Sequence, residues 1–148
     1  MKKLPLILMV VLFLVPTLGA LALAQDGDAV LGKWTVAGGK AIIEIYKCKD
    51  KYCGKIIGLR EPKNPDGTDK LDVNNPDESK RTRPLMGLVL LWGLKYVGDN
   101  KYEDGGIYAA DTGKTYNSKM TLKGDQLDVR GFMGISLLGR TDTWTRVQ

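Results

Sequence analysis

The sequence predicts an all-β protein, a single small antiparallel β-barrel of about eight strands. Three observations predict it. Apolar residues beyond residue 30 recur with a period of two, the spacing of a half-buried strand. The runs are bounded by glycine, aspartate and asparagine in tight-turn combinations. They follow one another mostly as hairpins, the up-and-down order that closes into a barrel.

The strands are expected in the following order. Gly32 to Val36 is the first, and Gly38-Gly39 turns the chain into Ala41 to Cys48. Tyr52 to Leu59 pairs back. If Cys48 faces Cys53, Tyr46 lies opposite Lys55 and Ile45 opposite Ile56. Ala41, Ile43 and Ile45 then share the inner face with Gly54, Ile56 and Gly58, while Glu44 and Lys55 face out with the cysteines. Met86 to Val97 is the next strand, and Gly98-Asp99-Asn100 turns it into Lys101 to Tyr108. Thr115 to Lys123 follows the turn Ala109 to Gly113, and Gly124-Asp125 leads into Gln126 to Phe132. Gly134 to Gly139 is a short apolar connection to the last strand, Arg140 to Val147.

Between strands 3 and 4 the segment Arg60 to Pro84 breaks the pattern. Pro62, Pro65, Pro76 and Pro84 interrupt any ladder, and Asn64-Pro65-Asp66-Gly67 and Asn74-Asn75-Pro76-Asp77 are turn sequences. One helical turn is expected over Pro76 to Lys80, capped by Asn75. A loop this long in a compact domain is functional or disordered.

The first residues predict export. Lys2 and Lys3 precede an apolar run from Leu4 to Leu18, and Ala22-Leu23-Ala24 fits signal-peptidase cleavage before Gln25. The expected organisation is a signal peptide over residues 1–24 and a barrel domain over residues 25–148, periplasmic or secreted from a Gram-negative envelope, with no transmembrane segment after processing. The apolar run is just long enough to span a bilayer, but its small-residue end is that of a cleaved leader. In an oxidising compartment Cys48 and Cys53 are expected to form a structural disulfide. C-x4-C is not a redox spacing, and no histidine is present to complete a typical zinc site.

Without Lys2 and Lys3 the chain keeps 20 basic against 17 acidic side chains, an excess of three. The charges are interspersed, so a nucleic-acid partner is not expected. The missing histidine removes the Ser-His and Cys-His pairs and the usual neutral-pH base. Gly113-Lys114-Thr115 resembles the end of a P-loop, but Tyr108 stands where its first glycine belongs. Carboxylates remain as candidate acids, Glu103 with Asp104, and Asp111; the paired acids read better as solvated turn-flanking residues. Asp66, Asp69, Asp72 and Asp77 lack calcium-loop spacing and alternate with lysines. No enzyme activity, metal or cofactor is therefore expected.

A cavity is the remaining opportunity. Gly54, Gly58, Ser118 and Gly131 leave volume on the expected inner faces, against the alternative that Leu, Ile and Met fill it. A small apolar or amphipathic ligand is expected there, with Trp92, Tyr108, Tyr116 and Met120 as wall surface. Arg81 and Arg83, placed at the barrel mouth, would hold a carboxylate or phosphate head group, or else pair with loop acids. The competing reading is an envelope interaction protein that meets a protein partner through the long loop and the surface.

Several motifs occur together in order. They are Gly32-Lys33-Trp34, Tyr46-Lys47-Cys48 with Tyr52-Cys53-Gly54, Ser79 to Gly87, Gly105-Gly106-Ile107-Tyr108, Gly113-Lys114-Thr115-Tyr116, Arg130 to Arg140, and Trp144-Thr145-Arg146. In these the chain resembles the uncharacterised bacterial family called domain of unknown function 2147. The resemblance implies a periplasmic, lipocalin-like (calycin-type) barrel and no established activity. By the same likeness Trp34 packs in the first strand under a late arginine, Arg146 or, second, Arg140. Ala109-Ala110 departs from the Asp-Pro-like turn expected after the tyrosine, which moves any acidic role there to Asp111.

Overall fold

The computed structural model describes residues 26–148. The expected signal peptide and its cleavage site lie outside the described residues. The strands are β1 (Gly32–Thr35), β2 (Ala41–Cys48), β3 (Lys51–Leu59), β4 (Val89–Gly98), β5 (Lys101–Ala109), β6 (Lys114–Lys123), β7 (Gln126–Phe132) and β8 (Gly139–Arg146). Each pairs antiparallel with the next, and β8 returns to β1 through Trp34↔Arg146 and Thr35↔Thr145. The sheet is a closed eight-stranded barrel with no unpaired edge.

Local chemistry sets the hairpins. Asp99 and Asn100 both take positive φ, 51° and 59°, the type I′ geometry that matches the twist of the flanking strands β4 and β5. Between β2 and β3 the turn is Lys49-Asp50, with Lys49 at φ 60°. That two-residue turn pairs Cys48 with Lys51, and hence Tyr46 with Cys53 and Ile45 with Gly54. The expected register was two residues out, because the cysteines bridge diagonally instead of facing each other. Their Cα atoms are 5.9 Å apart. A slip of two preserves the pleat. Ile43 and Ile45 are buried opposite Ile56 and Gly54, and Glu44 and Lys55 pair outside at 3.3 Å. Gly58 is the exception. Beyond a bulge between Ile42 and Ile43 it pairs with Ile42, against whose side chain it lies.

Reducing the Cys48–Cys53 bond is expected to cost about 2 kcal/mol, the entropy of closing a short loop in the unfolded chain. Urea titrations with and without reductant, alongside thiol counts in denaturant, measure it.

The core fills one half of the barrel. Trp34, Leu94, Tyr102, Met120 and Leu127 are essentially inaccessible to solvent. A 3-10 turn, Gly27–Val30, plugs this end, capped by the Asp26 side chain on the Asp28 N–H. The Tyr102 hydroxyl donates to the Gly27 carbonyl at 2.6 Å, and the Tyr52 hydroxyl to Asp28 at 2.6 Å. The Trp34 indole N–H donates to Val30 O at 2.9 Å. Arg146 lies over the Trp34 ring, 4.2 Å from its centroid, and donates to Leu31 O and Ala29 O. Burial pushes the Tyr52 and Tyr102 phenols well above their ordinary value.

The segment from residue 60 to 88 folds against the barrel wall. β4 starts at Val89, later than expected, because Gly87 at φ 84° turns the chain after Pro84. The helical turn is Glu78–Lys80, and its cap is Asp77, whose carboxylate accepts from Ser79 N–H. Asn75, expected to be that cap, accepts from Asp77 N–H instead and donates its amide to Asp72.

Candidate functional site

The other half of the barrel is hollow. A cavity of about 700 Å³ opens at the end where β1, β3, β5 and β7 finish. Its inner walls are Ile43, Ile56, Leu90, Ile107, Val129 and Trp144, and its rim carries Lys40, Asp111, Thr112, Arg140 and Asp142. Apolar depth with a charged rim suits a ligand with an apolar body and a polar end.

Of the four positions expected to leave volume, Gly131 opens onto this space. A Cβ there would lie 3.5 Å from Ile107 and 3.6 Å from Tyr116, in ordinary contact. Gly54 is already filled by Ile43 and Leu91, within 3.3 Å of where its Cβ would stand. Ser118 is buried between Gly105 and Gly131, and its hydroxyl has no hydrogen-bond partner among the described residues. The two alternatives for the interior therefore each describe one half of it.

The expected site residues divide accordingly. Tyr116 lines the cavity; Tyr108 borders it at the mouth, but its side chain turns to the outer face, where its hydroxyl meets Asp72. Met120 does not: it is 1% exposed, packed in the core two positions further along β6 than Ser118. Trp92 stands on the outer wall, where its indole lies across Gly106. There it lines a shallow groove with Asp104, Asn117, Phe132 and Met133. Arg81 and Arg83, expected as head-group anchors, are bonded within the long loop. Arg81 Nε donates to Asn75 O at 2.8 Å, and Arg83 Nε to Asp72 Oδ2 at 2.8 Å. Of the two readings offered for them, pairing inside the loop is the one the structure shows. The cations at the mouth are Lys40 and Arg140, which the sequence reading did not single out as ligand contacts.

Asp72 is the knot that ties the loop down. It is fully buried and accepts from the Tyr108 hydroxyl at 2.6 Å, the Asn75 amide at 2.8 Å and Arg83. Burial pushes its carboxyl up, and the three donors together outweigh that, leaving it below the ordinary aspartate range. The Tyr108 phenol moves the other way, raised by burial and by its bond to the carboxylate. Asn74 adds amide bonds to Ala110 O and Asp111 O in the β5–β6 turn. In the same turn Gly113 sits at φ 70°, so close that a Cβ would be 1.9 Å from Asn74 O. Any other residue there would displace the loop.

The other loop acids are also partnered, Asp66 with Thr68, Asp69 with Lys63 and Asp77 with Ser79. Among the described residues no three His, Cys, Asp or Glu side chains converge as a metal site. Glu103 and Asp104 are exposed, and Asp104 sits at φ 62° in a bulge of β5.

Among curated proteins no sequence match was found. A solved structure described as protein HP1028 from the human pathogen Helicobacter pylori, belonging to the lipocalin family, is similar to this chain. The two share 26% identity with a TM-score of 0.69, over 80% of this chain and 82% of that one. The family model described as an uncharacterized protein conserved in bacteria, DUF2147, matches residues 32–146, the whole barrel from β1 to β8. The chain is a lipocalin-like barrel and belongs to the DUF2147 family.

Proposed function

We propose that this protein is an exported, non-enzymatic carrier that holds a small apolar or amphipathic ligand in the open half of its barrel. The observation that carries this reading is the cavity of about 700 Å³, walled by aliphatic and aromatic side chains and rimmed by Lys40 and Arg140. Its size falls within the roughly 300–1,000 Å³ typical of small-molecule sites. The lipocalin-like fold supports the same reading by analogy. Location in the bacterial envelope rests on the charged, apolar and small-residue succession of residues 1–24.

In this reading the ligand's apolar part lies against Ile43, Ile56, Val129 and Trp144, and its polar end reaches the rim. Tyr116 gives a flat wall beside Gly131. The competing idea makes the long loop a protein-binding surface. The bonds that Asp72 and Asn74 make to the barrel support a structural task for that loop instead.

Native mass spectrometry of protein purified without detergent tests the proposal, together with titration of an anionic naphthalene-sulfonate dye. Uptake of one dye per barrel is expected. Gly131→Phe places a ring in the cavity and should weaken uptake at least ~10-fold while leaving the melting temperature nearly unchanged. A wild-type protein that takes up neither dye nor long-chain fatty acid, or a Gly131→Phe variant that binds equally well, overturns the reading.

A further inference from the structure

The connection from β7 to β8 exposes more apolar surface than its neighbours. Met133, Ile135, Leu137 and Leu138 are 64%, 60%, 82% and 75% exposed within six residues. Isolated apolar residues on a surface are ordinary, but a contiguous exposed group marks a contact site. These side chains are also held outward. Arg130 Nε donates to Ser136 O at 2.7 Å and its Nη2 to Leu137 O at 3.2 Å. Lys119 Nζ meets Ser136 Oγ at 2.9 Å. Arg130 thus fixes the backbone of the 3-10 turn Ser136–Leu138 and Lys119 holds its serine hydroxyl, leaving the leucines in water.

Charge identifies what would cover them. The loop and the mouth beside it carry Lys40, Lys119, Arg130 and Arg140 against Asp111 and Asp142, an excess of cations. The Arg140 side chain is 88% exposed, with Asp142 at 3.4 Å. An apolar tip flanked by cations is complementary to an anionic lipid surface, where acyl chains lie beneath a layer of phosphate. The tip also stands at the mouth, since Met133 and Leu138 line the cavity.

We propose that the β7–β8 loop is a membrane-docking element that inserts Ile135, Leu137 and Leu138 into an anionic lipid surface and sets the barrel mouth against it. Docking of this kind needs no occupant in the cavity, so it stands apart from the carrier reading.

Flotation of the purified protein with vesicles tests it, using phosphatidylcholine alone and phosphatidylcholine mixed with phosphatidylglycerol. Binding to the mixed vesicles is expected, weaker without phosphatidylglycerol and weaker as salt rises. The double substitution Leu137→Glu and Leu138→Glu should lower the partition coefficient at least ~10-fold with circular dichroism unchanged. Val97→Glu, an exposed position at the closed end, should bind as the wild type does. A separate variant, Ile135→Trp, should shift its fluorescence to the blue when mixed vesicles are added. No vesicle binding, equal binding by the Leu137/Leu138 variant, an unshifted Ile135→Trp spectrum, or apolar-tip-dependent dimers in place of vesicle binding would each overturn the proposal.

Discussion

Trp34→Ala is expected to destabilise the protein by about 3–5 kcal/mol, the cost of removing a large aromatic from a site that cannot collapse. The indole is fully buried at the plugged end and makes three kinds of contact there. Its N–H satisfies Val30 O, its face carries Arg146, and its edge packs in the core that the 3-10 turn covers. Truncation opens a void and leaves the Val30 carbonyl without its indole donor. Arg146→Ala should cost less, about 1–2 kcal/mol, since the guanidinium is partly exposed and its carbonyl partners can turn to water. Urea denaturation of both single variants and the double variant measures the coupling. A Trp34→Ala loss under about 1 kcal/mol would show that the plug does not depend on the indole.

The second large effect is expected at the loop knot. Asp72→Ala removes a buried acceptor shared by Tyr108, Asn75 and Arg83, and should cost about 3 kcal/mol at neutral pH. That figure sits at the lower end for a broken buried ion pair, because the Arg83 side chain is 39% exposed and regains water. The pH dependence has a definite sign. The folded-state value of this carboxyl lies below its ordinary value of 3.8, so its contribution is complete above that value and is lost as pH falls through the lower, folded one. Wild type and Asp72→Ala should therefore differ most at neutral pH and converge in strong acid. Tyr108→Phe should cost about 1 kcal/mol and leave the acid convergence in place. A stability gap between wild type and Asp72→Ala that widens towards acid would contradict the assignment of Asp72 as a charged acceptor.

Strands and their faces were legible because alternation survives errors of register. The β2–β3 pairing was read from the cysteines, but the turn Lys49-Asp50 decides it, and the bridge accommodates a diagonal. Since the slip was two residues, Ile43, Ile45 and Ile56 still point inward. Bulges were harder to see. Gly93 at φ 72° and Asp104 at φ 62° interrupt alternation in β4 and β5; a glycine within a strand run and the Asp104-Gly105 step are the local signals of a bulge, and the expected strands ran straight through them. The site was only partly legible for a different reason. Periodicity tells inside from outside but not depth along a strand, so Tyr116 and Met120 looked equivalent although one lines the cavity and the other packs beneath it. Trp92 was misplaced because the glycine that receives its ring, Gly106, lies on the neighbouring strand. The β7–β8 connection was visibly apolar in sequence, yet its outward pose depends on Arg130 reaching back across the loop.

The pairing of β1 with β8 has a practical corollary. Val147 N–H donates to Lys33 O, and Arg146 reaches Ala29, so residues 26 and 148 emerge together on the plugged side, far from the mouth. A surface tether or reporter domain attached beside residue 26 or residue 148 would leave the entrance unobstructed. Linking residue 148 to residue 26 and cutting at an exposed hairpin tip such as Gly124-Asp125 should yield a permuted chain that still closes.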